Sequence, residues 1–323
     1  MLSQYFRYMF LLTLSLSALT FSGCSNKESG EELHVGMNTW PGYEPFVLAK
    51  DLGYLDERVR VSRLDSATNV IRSFKSDLID VACITLDEAI IMQETSEDEI
   101  KVITIMDFST GGDVIIANKN IKSLKELKGK RIGVESTALG AFMLARAVDF
   151  TPELTMSDLK ILNIGYEHHQ NDFETNKIDA VITFEPIKTR LLKSTNAHVI
   201  FSSEQIPGEI LDVIVVKSKT IKSKNSELQK MIDAWYETIE YIKQNRNESL
   251  KRMAKYENIS LNEFAIAYTG LTVPSLVENR MFFKLKLKDS IKKIRNTLLN
   301  KQLIQKEFNE KDLYSAEFLG SET

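Results

Sequence analysis

Cysteine is nearly absent from this chain: two residues, Cys24 and Cys83, in 323. If Cys24 is modified, no intrachain disulfide can form, and the fold must rest on its apolar core. Tryptophan is as scarce, with two, and the four histidines include a single adjacent pair, His168–His169. Neighbouring residues on a helix point about 100° apart, so that pair makes a poor metal site. The patterns G-x-S-x-G, H-E-x-x-H and the phosphate-binding P-loop do not occur, and "GVESTALG" does not fit G-x-G-x-x-G. No basic run interleaves with aromatics, and the formal charge of −4 gives no footprint for nucleic acid. No cofactor, metal or internal repeat is implied.

Long apolar runs are also missing, with one exception. Met9 to Leu19 follows the single charge Arg7 and leads through small residues to Cys24. This core is shorter than the roughly 20 apolar residues of a bilayer span. It reads as a secretory signal over residues 1–23. "FSGC" resembles a lipobox, which implies cleavage before Cys24 and lipidation of that residue. The polar, acidic "SNKESGEE" fits a tether over residues 24–32. An extracytoplasmic, lipid-anchored protein is expected, in a periplasm or on a cell surface. Cys83 lies in the apolar "IDVACITL" and reads as a buried, inert thiol.

After the tether, strand and helix patterns alternate. "LHVGMN", "VRVSRLDS", "VACITL" and "IKVITIMD" read as strands, separated by helical segments. One of these carries Val70, Ile71, Phe74 and Leu78 as an apolar stripe. The pattern restarts with "DVIIANK", "KRIGVE", "LKILNIG", "DAVITF", "HVIFSS" and "LDVIVVK". Such a series predicts an α/β fold with mainly parallel sheets. From Ser226 the chain turns helical, with Leu228, Met231, Ile232, Trp235, Ile239 and Ile242 on one face, which places Trp235 in the core. The basic stretch "KLKLKDSIKKIR" reads as a solvated helix face.

The segments "NTWPGYEPFVLAKDLGYL", "DFSTGGDVIIA", "SLKELKGKRIGVESTALGAFMLARA", "KIDAVITFEP" and "SEQIPGEILDVIVVK" occur in this order over residues 33–218. Together with the lipobox they resemble the solute-binding lipoproteins of ABC importers, in the nitrate/sulfonate/taurine and thiamine-precursor group. The resemblance implies a bilobed periplasmic-binding-protein fold, two sheets joined by crossing strands with the ligand cleft between. It places lobe one at residues 33–114 plus 216–323 and lobe two at 115–215. The first crossing is expected near Gly111–Val114 and the return near Val215–Lys217. The implied partners are a small solute and an ABC permease with its ATPase, and a monomer is expected. A ligand-sensing subunit for a membrane receptor, or an enzyme such as a pyrimidine-precursor synthase, are the rival readings. The enzyme would need reactive His and Cys residues in the cleft.

Ligands in open α/β sheets lie beyond the carboxyl ends of strands. Those positions supply the candidates Trp40, Tyr43, Asp65, Ser66, Thr85, Asp113, Ser136, Thr137, Glu185 and Asp212. Ser66 and Thr85 precede helices and serve equally as N-caps. Glu44, Asp87 and Glu88 sit in first helical turns, where the dipole alone favours an acid. Trp40, in the Pro/Gly loop "WPGYEP", has no helical face to join and is expected to face the cleft. Ser136 and Thr137 at a helix start suit an oxyanion such as a sulfonate or nitrate. The acids Asp65, Asp113, Glu135, Glu185 and Asp212, unmatched by Lys or Arg, oppose an anion. They suit an amine- or aminopyrimidine-bearing solute.

Overall fold

The computed structural model describes residues 31–135 and 138–320. The signal segment, Cys24, Ser136 and Thr137 lie outside the described residues. The described residues from Glu32 to Gly320 form one compact unit.

The first half alternates as the sequence predicts: β1 (Leu33–Met37), α1 (Glu44–Leu52), β2 (Val59–Arg63), α2 (Ala67–Lys75), β3 (Val81–Thr85), α3 (Leu86–Thr95) and β4 (Ile100–Ser109). The chain then crosses to β5 (Val114–Ala117), β6 (Arg131–Val134), α4 (Ala138–Asp149), β7 (Lys160–Asn163), α5 (Tyr166–Glu174), β8 (Ala180–Thr183), α6 (Ile187–Ser194) and β9 (His198–Ser202). It returns through β10 (Leu211–Lys217) and ends in α7 (Ser218–Gln244), α8 (Arg246–Tyr256), α9 (Leu261–Tyr268), β11 (Leu271–Thr272), α10 (Leu276–Leu285) and α11 (Leu287–Asn300).

Local chemistry sets the boundaries that matter for the cleft. Gly53 ends α1 at φ 76°, and its N–H reaches back to carbonyls of the last turn. Ser66 caps α2 by accepting from Asn69 N. The helix stops at Lys75, so Leu78 lies beyond it and is exposed, which corrects the stripe read through that residue. The α7 stripe is buried as predicted, with Trp235 packed against Phe46 at 4.9 Å between ring centroids. In α11, Leu287, Ile291 and Ile294 are buried while Lys288 and Lys292 face solvent.

The strands form two sheets, ordered β11-β4-β10-β3-β1-β2 and β7-β6-β8-β5-β9. Both are mixed, not mainly parallel. The β1–β2, β1–β3, β6–β7 and β6–β8 pairs are parallel. The strands next to the crossings, β10 and β5, run antiparallel to their neighbours. A strand entering from the other sheet arrives at the far end, which reverses its direction. The β10 ladder already starts at Leu211, so the return crossing spans residues 203–210 and not Val215–Lys217. No described helix is long and apolar enough to cross a membrane.

Candidate ligand cleft

A pocket enclosing about 540 Å³ of space free of atoms, part of it open to solvent, lies between the two sheets. Asn38, Trp40, Tyr43, Ala67, Thr85, Glu88 and Asp212 line it from the first sheet's side. Glu135, Leu139, Gly140, His169, Ile182, Thr183 and Phe184 line it from the second, and Asp113 sits at the crossing. Most of these residues follow the carboxyl end of a strand, where an open sheet leaves room for a ligand.

The aromatic wall is anchored by acids. Trp40 Nε1 donates to Asp107 Oδ2 at 3.0 Å, and the Tyr43 hydroxyl donates to Asp212. Asp107 and Asp212 face each other across the β4–β10 ladder. Across the cleft, Phe184 meets Trp40 edge-on at 5.9 Å and stacks on Tyr166 at 4.3 Å. Two glycines make room for the indole. A Cβ at Gly42 would come 2.5 Å from Trp40 Nε1, and one at Gly112 would come 2.5 Å from Trp40 Cη2 and 2.9 Å from the Gly270 carbonyl oxygen. Gly112→Ala should therefore displace Trp40 and destabilise the protein by about 1–3 kcal/mol, as overpacking does. Urea unfolding checks this, and a midpoint equal to wild type would refute the close packing.

The two halves also touch through polar bonds. Thr68 N and Oγ1 both donate to Glu135 Oε1, at 3.1 and 2.8 Å. At the crossing, Ser109 Oγ and Ser203 Oγ lie 2.8 Å apart, and Ser203 Oγ accepts from Gly111 N at 2.7 Å. Gly111 adopts φ 110°, which an L side chain would resist.

The electrostatics are one-sided. Glu88, Asp113, Glu135 and Asp212 line the pocket and are buried, with Asp107 just behind, and among the described residues no Lys or Arg lines it. Lys188 is 3.1 Å from Glu185 Oε1 and donates to the Gly111 carbonyl at 2.9 Å, so its charge is engaged outside the pocket. Burial pushes Asp113 up to about 7, partly offset by the Ser109 hydrogen bond. Burial raises Glu88 to about 8 and Asp107 to about 7, with Asp87 adding to the first and Asp113 to the second. Asp212 is raised by burial and by Asp107. His169 is pushed down by burial to about 4, so its ring is neutral at pH 7.

Of the residues expected from sequence, Trp40, Tyr43, Thr85, Asp113 and Asp212 come together here. Asp65 does not, because its side of the β2–α2 turn is exposed. Ser66 lies outside the lining and caps α2. Glu185 is fully buried one residue past Phe184, accepting from Thr189 N at 3.1 Å and paired with Lys188. Asn38, Glu88, His169, Thr183 and Phe184 were not expected. Glu88 had a helix-dipole explanation, and His169 sits within a helix, where strand-end reasoning does not look. Cys83 lies in β3 and outside the lining, its thiol raised well above normal by burial.

Two mixed α/β sheets, joined by crossing segments with a cleft between them, define the bilobed periplasmic-binding-protein fold. The chain belongs to the NMT1/THI5-like family, whose model matches residues 40–249. Solved structures share the fold at low identity. The alkanesulfonate-binding protein SsuA from Xanthomonas axonopodis pv. citri, bound to MOPS, is 13% identical with a TM-score of 0.73, covering 88% of this chain and 98% of its own. The periplasmic nitrate-binding protein NrtA from Synechocystis PCC 6803 is 11% identical with a TM-score of 0.71, covering 90% and 87%. The desulfurization enzyme DSZB is 14% identical with a TM-score of 0.67, covering 89% and 98%. No curated protein sequence matches the chain.

Proposed function

We propose that this protein is the extracytoplasmic solute-binding component of an ABC importer, and that its cleft takes a small amine- or aminopyrimidine-bearing cation. One observation carries the ligand reading: among the described residues, four buried acids line the pocket and no Lys or Arg does. A sulfonate or nitrate finds no cation there and meets repulsion wherever one of these acids is ionised, whereas a bound cation would draw the raised acids back toward their charged form. An amine or amidinium would gain charge-assisted hydrogen bonds and stack on Trp40. The sulfonate and nitrate binders of the same fold keep an oxyanion as the second reading. Binding rather than catalysis is supported by the placement of Cys83, which keeps the described thiol out of the cleft.

Native mass spectrometry of the purified protein tests the ligand. A co-purifying nitrogenous cation supports the reading, and a bound sulfonate or nitrate sinks it. Lipid at Cys24 completes the proposal, together with the two lobes expected at 33–114 plus 216–323 and at 115–215, except that β10 from Leu211 onward goes with the first lobe. Cys24→Ala should release the protein from membranes or leave it unprocessed. Membrane fractionation at the normal mature mass would contradict the anchor.

A further inference from the structure

The first turn of α2 is held from two places. Ser66 Oγ, the helix's own cap, accepts from Asn69 N at 3.3 Å. The donor one residue earlier, Thr68 N, is one of the groups a helix start leaves open. It is taken by Glu135 Oε1 at 3.1 Å, and the Thr68 hydroxyl donates to the same oxygen at 2.8 Å. Glu135 belongs to the other half of the molecule, one residue past β6. This pairing lies far from the crossing segments. β2, which leads into α2, is the edge strand of the first sheet, three places from β10, and β8 separates β6 from β5. Lobes parting about the crossings would pull this pair apart. Lys193 and Glu263 also join the halves, at 3.3 Å, but the lysine is largely exposed and such a pair contributes little. Glu135, by contrast, is 7% exposed and lines the pocket, and its second oxygen, Oε2, is buried without a partner. A buried polar oxygen of this kind calls for a bonding group, and the pocket is the side from which one can come.

We propose that Thr68 and Glu135 form an interlobe clasp that couples solute capture to closure of the cleft, Oε1 holding the first turn of α2 while Oε2 accepts from the solute. The solute contact rests on the cationic-solute reading, and the clasp itself does not. Glu135 is then a binding residue on the second lobe, and Thr68 a positioning residue that fixes its carboxyl. A solute bonded to Oε2 immobilises that carboxyl and strengthens its hold on Thr68.

Amide hydrogen exchange of the full chain reads the clasp directly, because the Thr68 N–H is protected only while the pair is made. Without ligand, Thr68 in Glu135→Ala should lose at least about tenfold of its protection, the effect of two lost hydrogen bonds. Asn69 N, held by Ser66 within the same turn, should keep its wild-type protection. Equal protection of Thr68 in wild type and Glu135→Ala overturns the clasp. Should Glu135→Ala fail to fold, or expose Asn69 as well, Thr68→Val decides. It keeps the backbone donor and loses the hydroxyl, so the amide at that position should lose about two- to tenfold of its protection. Thr68→Ser should restore it, and full protection in Thr68→Val overturns the clasp. Saturating benzamidine should then raise the protection of Thr68 in wild type about tenfold and leave Glu135→Ala unchanged. Benzamidine that binds without protecting Thr68 overturns the coupling. If benzamidine does not bind at millimolar concentration, the cationic reading and the Oε2 contact fall, and the ligand-free comparison still decides the clasp.

Discussion

Asp113→Asn should weaken capture of a small cation by about ten- to hundredfold, which corresponds to losing one charge-assisted hydrogen bond of about 1.5–3 kcal/mol. Asp212→Asn should do the same and also loosen Tyr43, whose hydroxyl donates to that carboxylate. Trp40→Ala should cost roughly tenfold through the lost stack. For an oxyanion the two acid substitutions act in the opposite direction, because removing a nearby negative charge tightens an anion. Calorimetry with benzamidine and with taurine on the three variants separates the cases. Tighter taurine binding to Asp113→Asn, without amidine binding to wild type, would return the site to the oxyanion class.

The same acids make the ligand-free protein less stable as pH rises. Folding raises Asp107 and Asp113 to about 7 and Glu88 to about 8, all above the ordinary carboxylate range. Between pH 4 and 8 the folded chain therefore holds protons that the unfolded chain has released, and stability falls with pH across that window. Each group contributes at most about 1.4 kcal/mol per pH step over which this holds. His169 has the opposite sign: it is lowered to about 4, and the stability it contributes grows as pH rises toward 6.5. The range from pH 6.5 to 8 isolates the carboxyls. Glu44, raised to about 7, and Glu257, raised to about 8, share the trend outside the cleft. Melting of wild type should therefore fall by several degrees between pH 6.5 and 8. Asp113→Asn should flatten that fall and melt about 5 °C higher at pH 8, where it no longer buries a charge. One variant would thus gain stability while losing affinity, a common cost of a functional site. A wild-type melting temperature flat across this range would show that the cleft acids titrate normally.

The alternation of elements was legible because burial imposes simple periods. The buried β3 and the helical stripe of α7 announce themselves in "VACIT" and in Leu228 through Ile242. Strand direction was not legible, since "DVIIANK" and "LDVIVVK" look like any buried strand. Whether they run parallel depends on which sheet the chain has just left. In the cleft, the loop after β1 gave away Trp40, because two prolines and a glycine leave an aromatic no regular element to pack in. Asp65 was indistinguishable in sequence from Asp113, since both follow a strand. One turns to solvent beside α2 and the other lies buried at the crossing. His169 was hidden because the residue that holds its ring, Thr183, lies fourteen residues away in the chain.

The position of β10 bears on how the molecule assembles. It sits between β3 and β4 in the first sheet, yet it is made after the whole second sheet. Until Leu211–Lys217 arrives, β3 and β4 each present an unpaired, apolar edge, and the first sheet has a gap in its middle. The second sheet has no such dependence, because β5 to β9 are contiguous in the chain. The order of assembly therefore runs against the order of synthesis. The inserted half can close on local contacts, while the half synthesised first must wait for long-range pairing, the slow step in mixed folds. During that interval the exposed edges are the surfaces most prone to pair with another chain.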